Sequence, residues 1–296
     1  MSRRVAVTGA RGQLGHELVA AFREVGDEVL PLMRPEFDIT STGDLARVSA
    51  WSPDVVINSA AWTDVDACAG DPAHAIAING TAAGAVAEAA ARAGALTVQI
   101  STNEVFDGSL DRPYAEDDSP NPINPYGASK LLGERLVAEA TDRHVIVRTS
   151  WLFGAHGSNF VTKILAAADR ASAAGVPLRV VADEWGNPTS TTWLAGAIRK
   201  LAEMVLDGSE IGGIWHRAGQ PAASRVAWAR RILHGTDAQI TEISLDEYPR
   251  PSRVPPRATL TTRRAPGPPD GNWEAETDMV VSVLRAGKGR SGGERR

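Results

Sequence analysis

Val5-Ala6-Val7-Thr8-Gly9-Ala10-Arg11-Gly12-Gln13-Leu14-Gly15 stands near the start of the chain and decides how the rest is read. A short apolar, β-rich run ends in three glycines spaced three apart. An amphipathic segment follows over residues 13–25, with Leu14, Leu18, Ala21, Phe22 and Val25 on one face. Strand, glycine turn and helix are the context that a dinucleotide site requires. Gly9 suits the tight turn, Gly12 lets backbone approach a pyrophosphate, and Gly15 lets the helix pack on the strand. The free N–H groups and positive dipole end of the helix face the phosphates.

The end of the second strand selects between cofactors. An acidic residue there would hold a ribose 2′-hydroxyl and favour NAD. The chain instead reads Leu32-Met33-Arg34-Pro35. A guanidinium suits a phosphate fork, so Arg34 favours NADPH, with NADH possible, and Arg11 is a second candidate for the 2′-phosphate. Asp38 and Ile39 follow, where the adenine would border the chain.

Further outward, strand-like runs recur at 28–32, 54–58, 96–100, 145–148 and 178–181, with helical patterns at 73–93 and after Tyr126. Apolar strands alternating with helices predict a parallel sheet covered on both faces. The fold class is therefore α/β, a Rossmann-type doubly wound parallel sheet with a smaller C-terminal α+β substrate lobe. Residues 1–150 form the NAD(P)-binding core, with room for later segments to return to it, and 151–286 mainly the substrate-binding lobe. In that lobe 159–173, 192–206 and 223–233 read as helices and 213–216 as a strand. Residues 250–269 read as an irregular Pro- and Arg-rich arm, 273–284 as a last helix and 287–296 as a disordered tail.

Composition excludes several classes. A net charge of −5 gives no support for a nucleic-acid surface. One cysteine, Cys68, rules out an internal disulfide and a Cys-based zinc site and fits a reducing, cytoplasmic setting. No apolar run reaches about 18 residues, so no membrane span is expected, and the start does not read as a signal peptide. His156 and His216 have no metal-ligand partners at useful spacing and read as structural, so no metal is expected. Trp62, Trp185 and Trp215 read as core residues before stacking platforms.

The chemistry sits between Ser101 and Lys130. Tyr126 and Lys130 are four apart and share a helix face. A tyrosine is a poor acid–base catalyst near neutral pH unless its phenolate is stabilised. Lys130 supplies positive charge, and an oxidised nicotinamide adds more. Thr102, at a strand end, is placed to donate to a carbonyl beside the tyrosine. Together they would polarise a C=O for hydride attack and protonate the alkoxide. Asn58-Ser59-Ala60-Ala61, after the third strand, offers small residues along which a flat cofactor can lie.

These motifs together resemble the extended short-chain dehydrogenase/reductases, and the resemblance narrows. Residues 60–66 are similar to A-A-x-T-x-V-D, 101–108 to S-T-D-x-V-F-D-G and 148–154 to R-T-S-W-x-[YF]-G. Asn159-Phe160 and residues 183–189 resemble N-F and D-Q-x-G-x-P-T. All are similar to the dTDP-4-dehydrorhamnose reductase family. The resemblance implies NADPH-dependent reduction of the C4 keto group of a dTDP-6-deoxy-4-ketohexose, dTDP-4-dehydrorhamnose to dTDP-L-rhamnose first. It implies Tyr126 as proton donor, Lys130 lowering the tyrosine pKa and holding the nicotinamide ribose, and Thr102 orienting the carbonyl. Gly9, Arg11, Gly12, Gln13, Leu14 and Gly15 would lie at the pyrophosphate, with Asp38, Ile39, Ala60, Ala61 and Thr63 along the cofactor. Asn103, Glu104 and Trp151 would lie near the sugar.

The chain departs from the family pattern at three places. Asn103 replaces its Asp, Glu104 stands where Tyr is frequent, and residues 254–260 keep only part of R-P-x-x-S-x-L. Other readings stay open: a reductase of another dTDP-4-ketosugar in antibiotic deoxysugar biosynthesis, dTDP-dihydrostreptose synthesis being one case, or a non-catalytic NADP-binding regulatory subunit. An epimerase or dehydratase is a third, weakened because Asn103 cannot serve as an acid. The protein is expected to be a monomer or homodimer, with no membrane or nucleic-acid partner.

Overall fold

The computed structural model of the protein describes residues 2–265, 267 and 270–293. The first half runs β1 (Arg4–Thr8), α1 (Gln13–Glu24), β2 (Glu28–Leu32), α2 (Thr42–Trp51), β3 (Val55–Asn58), α3 (Val65–Gly70), α4 (Pro72–Ala75), α5 (Ala82–Arg92), β4 (Leu96–Thr102), α6 (Pro125–Ala140) and β5 (His144–Thr149). The second half runs β6 (Leu152–Phe153), α7 (Phe160–Ala173), β7 (Leu178–Val181), β8 (Trp185–Gly186), β9 (Thr189–Ser190), α8 (Thr191–Leu206) and β10 (Gly213–His216). It closes with β11 (Gly219–Gln220), β12 (Ala223–Ser224), α9 (Arg225–Ile232), β13 (Ile240–Ile243), β14 (Gly271–Asn272) and α10 (Trp273–Gly293).

Strand pleating sorts the apolar residues into two layers. Val5, Val7, Val55, Ile57, Val145 and Val147 pack with α1 and α8 on one face. Ala6 and Val56 meet α2 and α5 on the other. The central sheet is parallel, in the order β10-β5-β4-β3-β1-β2. The chain leaves β1 to one side for β2 and returns to the other for β3. Strand order thus reverses at β1/β3, and the crevice beyond their C-terminal ends is where such sheets bind ligands. A second apolar cluster, including Phe153, Val161, Val226, Trp228 and Trp273, holds α7, α9 and α10 together.

The run at 178–181 forms β7, but outside the central sheet: it pairs with β13 in a sheet of two. The sixth central strand is β10, carried to the edge of β5 after α8 packs beside α1. Both runs are short and apolar, and periodicity does not encode which partner a strand meets. Helix α10 continues to Gly293, past the start of the expected disordered tail. Propagating a packed helix costs less than starting one. Residues 294–296 of that tail lie outside the described residues. Helices α2 and α3 have no counterpart in the sequence reading. Among the described residues no helix is long and apolar enough to cross a membrane.

The helical stretch at 73–93 is not uniform. Residues Ile76–Thr81 form a π-helical turn between α4 and α5. Such bulges mark sites where a local need overrides regular helix. Here the need is Asn79, almost fully buried. Its Oδ1 accepts from Trp62 N at 2.8 Å, and its Nδ2 donates to Trp62 O at 2.9 Å and Ser129 Oγ at 3.1 Å. One amide thereby ties the loop after β3 to α6. The helices close tightly there, because a Cβ on Gly133 would lie 2.3 Å from the Asn79 carbonyl oxygen. Gly133→Ala is therefore expected to lower unfolding free energy by about 1–3 kcal/mol, the usual cost of overpacking, despite alanine's better helix propensity. Denaturant titration checks this.

Candidate active site

The C-terminal ends of β1, β3 and β4 open onto a trough of three cavities with shared walls. The first, about 510 Å³, is lined by Gly9, Arg11, Gly12, Met33, Arg34, Phe37, Ile39, Ala60, Ala61 and Trp62. The second, about 550 Å³, takes in Arg11 to Gly15, Ala61, Thr63, Thr102, Asn103, Glu104, Tyr126, Lys130, Trp151 and Arg225. The third, about 670 Å³, runs from Thr63 and Trp151 to Lys163, Arg170, Arg179, Arg225 and Arg250.

The glycine loop is shaped as its spacing predicts. Gly9 takes φ +67°, open to glycine at little cost, and a Cβ there would strike Ala60 N at 2.7 Å. Gly12 is the N-cap of α1, with no side chain over the first turn. Backbone N–H groups and a bare cradle at the start of a helix suit a pyrophosphate. Arg34 lies on the first cavity as expected, two-thirds exposed and 3.8 Å from Asp38. Asp38 itself does not line it. Its carboxylate accepts from Thr40 N at 2.9 Å and Thr40 Oγ1 at 2.8 Å, a local turn bond of the kind aspartate favours. Those bonds, the backbone one foremost, hold the Asp38 carboxyl below its usual pKa. Phe37, which sequence reasoning passed over, takes the place beside Ile39.

Thr102 ends β4 and is buried, with its hydroxyl accepting from Glu104 N at 3.1 Å. Asn124 caps α6 by accepting from Gly127 N at 2.7 Å, and Pro125 follows at the first helical position. Its Nδ2 also donates to Glu104 Oε2 at 2.7 Å, so one cap residue fixes both the helix carrying Tyr126 and the turn carrying Glu104. A Cβ on Gly127 would lie 2.0 Å from the Glu104 carbonyl oxygen. Lys130, one turn on, is buried and donates from Nζ to Ile100 O at 2.6 Å. Behind it Glu134 accepts from Ser101 Oγ at 2.5 Å and from Arg148 Nε and Nη2 at 2.9 and 2.6 Å. This buried pair joins β4, β5 and α6, and removing either partner would strand a charge.

Burial dominates the ionisation of the site. It pushes the Tyr126 phenol well above its ordinary pKa, with the Glu104 charge adding to the effect and the Thr102 hydroxyl opposing it. The lowering of this pKa assigned to Lys130 is thus not found in this arrangement, where the ammonium is bonded to Ile100. Burial brings Lys130 down to about 8, against the pull of Glu134. Burial raises Glu104 to about 7. Asn124, Arg250 and Arg225 oppose that shift, and Glu184 reinforces it.

Asn103 lines the second cavity, but its Nδ2 is committed to Ala258 O at 3.0 Å, so it tethers the 250–265 arm. Trp151, at φ +45°, stands between the second and third cavities with the Arg225 guanidinium 3.5 Å over its ring. A tryptophan in left-handed backbone carries strain that surrounding packing must hold. Arg225 came from α9 with no signal in the sequence. Trp215 is core, as read, and Trp62 lines the first cavity. His216 is buried against the Tyr114 and Thr261 carbonyls, and burial brings its pKa down to about 4. His156, read as lacking partners, meets His16 and Glu17, their ligand-type atoms all within 4.8 Å of one another.

A doubly wound parallel sheet, a glycine cradle at its switch point, and a Thr, Tyr and Lys set on one adjoining cavity define an NAD(P)-dependent oxidoreductase of the extended short-chain dehydrogenase/reductase type. The family described as the RmlD substrate binding domain matches residues 3–283. A dTDP-4-dehydrorhamnose reductase of Sinorhizobium fredii is 38% identical over 293 residues, covering 95% of this chain and 97% of the relative. A solved dTDP-4-dehydrorhamnose reductase from Clostridium acetobutylicum superposes with TM-score 0.88 at 33% identity, over 95% of this chain and 99% of that one. Another from Bacillus anthracis, in complex with NADP, gives TM-score 0.89 at 30% identity with the same coverage. The chain belongs to the dTDP-4-dehydrorhamnose reductase family.

Glu104 generates a stability prediction. Its folded pKa of about 7 stands above the 4.5 of an ordinary glutamate. The folded state therefore resists ionisation, and stability present below the unfolded pKa is lost as pH rises through about 7. Glu104→Gln removes that titration. The variant should gain on the wild type between pH 5 and 8, by up to about 3 kcal/mol, as read by denaturant midpoints across that range.

Proposed function

We propose that this protein reduces the C4 keto group of a dTDP-6-deoxy-4-ketohexose with NADPH, converting dTDP-4-dehydrorhamnose to dTDP-L-rhamnose. The observation that carries the reading is that Thr102, Tyr126 and Lys130 line one cavity with the glycine loop. Its relatives' activity supports the substrate class. The bare glycine cradle and flat Ala60-Ala61 wall fit a dinucleotide, whose nicotinamide supplies the hydride when bound. Gly9, Gly12 and Gln13 receive the pyrophosphate, and Arg34 and Arg11 the 2′-phosphate. Ile39, Ala60, Ala61 and Thr63 flank the remainder.

At the reacting carbon, Thr102 donates to the carbonyl oxygen and Tyr126 gives it a proton. A phenol with a raised pKa stays protonated across the working range, as the acid in a reduction must. Lys130 keeps positive charge beneath the tyrosine up to about pH 8. Trp151 and Arg225 face the sugar, and the cations of the third cavity suit its diphosphate. Cys68 is buried and unpaired, which supports a cytoplasmic setting. Glu104 in the cavity wall supports a second reading, in which the hexose is another dTDP-linked 4-ketosugar.

NADPH oxidation on addition of dTDP-4-dehydrorhamnose, with NMR of the product, tests the proposal. Absence of oxidation with every dTDP-4-ketosugar tried, while NADPH binds, overturns it. Tyr126→Phe should lose about 100- to 10,000-fold in turnover with NADPH binding unchanged. Arg34→Ala should weaken NADPH much more than NADH, and equal weakening would assign the 2′-phosphate elsewhere.

A further inference from the structure

One carboxyl group of the second cavity has no part in that reduction. Glu104 stands two residues past Thr102 and lines the same cavity as Thr102 and Tyr126. The Asn124 bond and the close seat of Gly127 hold its turn against the start of α6. Its Oε2 is engaged by Asn124; among the described residues Oε1 has no hydrogen-bond partner. No cation forms an ion pair with it among those residues either. Arg225 is held by Glu184 at 2.9 Å and Arg250 by Asp66 at 3.1 Å. A carboxylate oxygen is thus left for whatever enters beside the two hydroxyls.

Hydrogens on carbons next to a ketone are acidic, because the electron pair left behind delocalises onto the carbonyl oxygen. In a 4-ketosugar those carbons are C3 and C5, each one bond from the carbon whose oxygen Thr102 and Tyr126 would hold. We infer a second activity at this site: Glu104 acts as a general base that removes and returns a proton on a carbon adjoining the C4 ketone, exchanging that hydrogen with solvent. The inference rests on the 4-ketosugar reading above. In the forward step the C–H bond breaks and its pair forms a C=C bond. The carbonyl π pair moves to oxygen, where the Thr102 and Tyr126 hydroxyls hydrogen-bond it, and the proton goes to the Glu104 carboxylate. In the return step a solvent-exchanged proton passes from Glu104 to the same carbon and the ketone reforms. No oxidant or reductant is consumed. The groups facing Glu104 are Asn124, Arg250, Arg225, Glu184 and Tyr126, and their balance with burial places its proton affinity near neutrality, where a general base works best.

The test is incubation of the protein with NADP⁺ and dTDP-4-dehydrorhamnose in D₂O, followed by proton NMR of the recovered sugar. Deuterium should enter beside C4 about a hundredfold faster than in an enzyme-free control. Glu104→Gln should bring the rate to the control level, and Glu104→Asp should retain part of it, with NADPH binding used to verify that both variants fold. Wild-type protein that oxidises NADPH with this sugar but shows no exchange above control overturns the inference and leaves the reductase reading standing. Exchange by a folded Glu104→Gln at the wild-type rate also overturns it. Protein that neither exchanges nor oxidises NADPH with any dTDP-4-ketosugar removes the underlying reading and the inference together.

Discussion

Two pieces of main chain meet at Gly127 and Glu104 with no room between them, and the reactive centre depends on that clearance. The turn after β4 carries Thr102 and Glu104, and the first turn of α6 carries Tyr126. A single Cβ at position 127 would sit 2.0 Å from a carbonyl oxygen and drive the two apart. The same kind of contact recurs where Gly9 meets Ala60 and where Gly133 meets Asn79. Each lies where an element bearing a reactive or cofactor-lining side chain crosses another. The site is assembled by backbone laid on backbone, so its side chains point into the trough from surfaces that cannot slide. Reacting groups must be held to a fraction of an ångström, and this packing supplies that rigidity.

Around this frame the site concentrates buried ionisable groups and treats them differently. Glu134 and Arg148 neutralise each other through two hydrogen bonds, and Ser101 completes the set. That pair anchors β4 and β5 beneath Thr102. Lys130 is satisfied by a strand carbonyl and remains close to losing its proton. Glu104 is bonded to an amide and, among the described residues, forms no ion pair, and burial raises its pKa to about 7 against the opposing Arg250 and Arg225. Burial disfavours charge in Lys130 and Glu104, and the neighbours of each oppose or reinforce that shift. Lys130 and Glu104 line the cavity, while the ion-paired Glu134 and Arg148 lie behind it.

The second lobe contributes the other wall. Trp151, strained at φ +45°, and Arg225 stacked on it stand between the second cavity and the cation-lined third. The arm after Arg250 ties the second half of the chain to the first through Arg250–Asp66 and Asn103–Ala258, and is held within its own half by the Asn187–Leu260 bonds. Asn103 therefore joins the two halves, and the residue beside it, Glu104, lines the second cavity.

The sequence by itself determined the sheet class, the glycine cradle and the Thr102, Tyr126 and Lys130 set. Each rests on spacing along the chain: period two in the strands, three in the glycines, four on the helix. These are local signals, written in neighbouring residues, and the structure keeps them. Only the tertiary structure decided that β10 and not β7 completes the sheet, that Asp38 turns from the cofactor cavity, that Asn79 breaks a helix into a π turn, and that Arg225 reaches Trp151. It alone also decided the direction in which burial shifts Glu104, Tyr126 and Lys130. Strand partnership, the direction of a polar side chain and the cost of burying a charge all depend on groups distant in sequence, and no spacing within one segment encodes them.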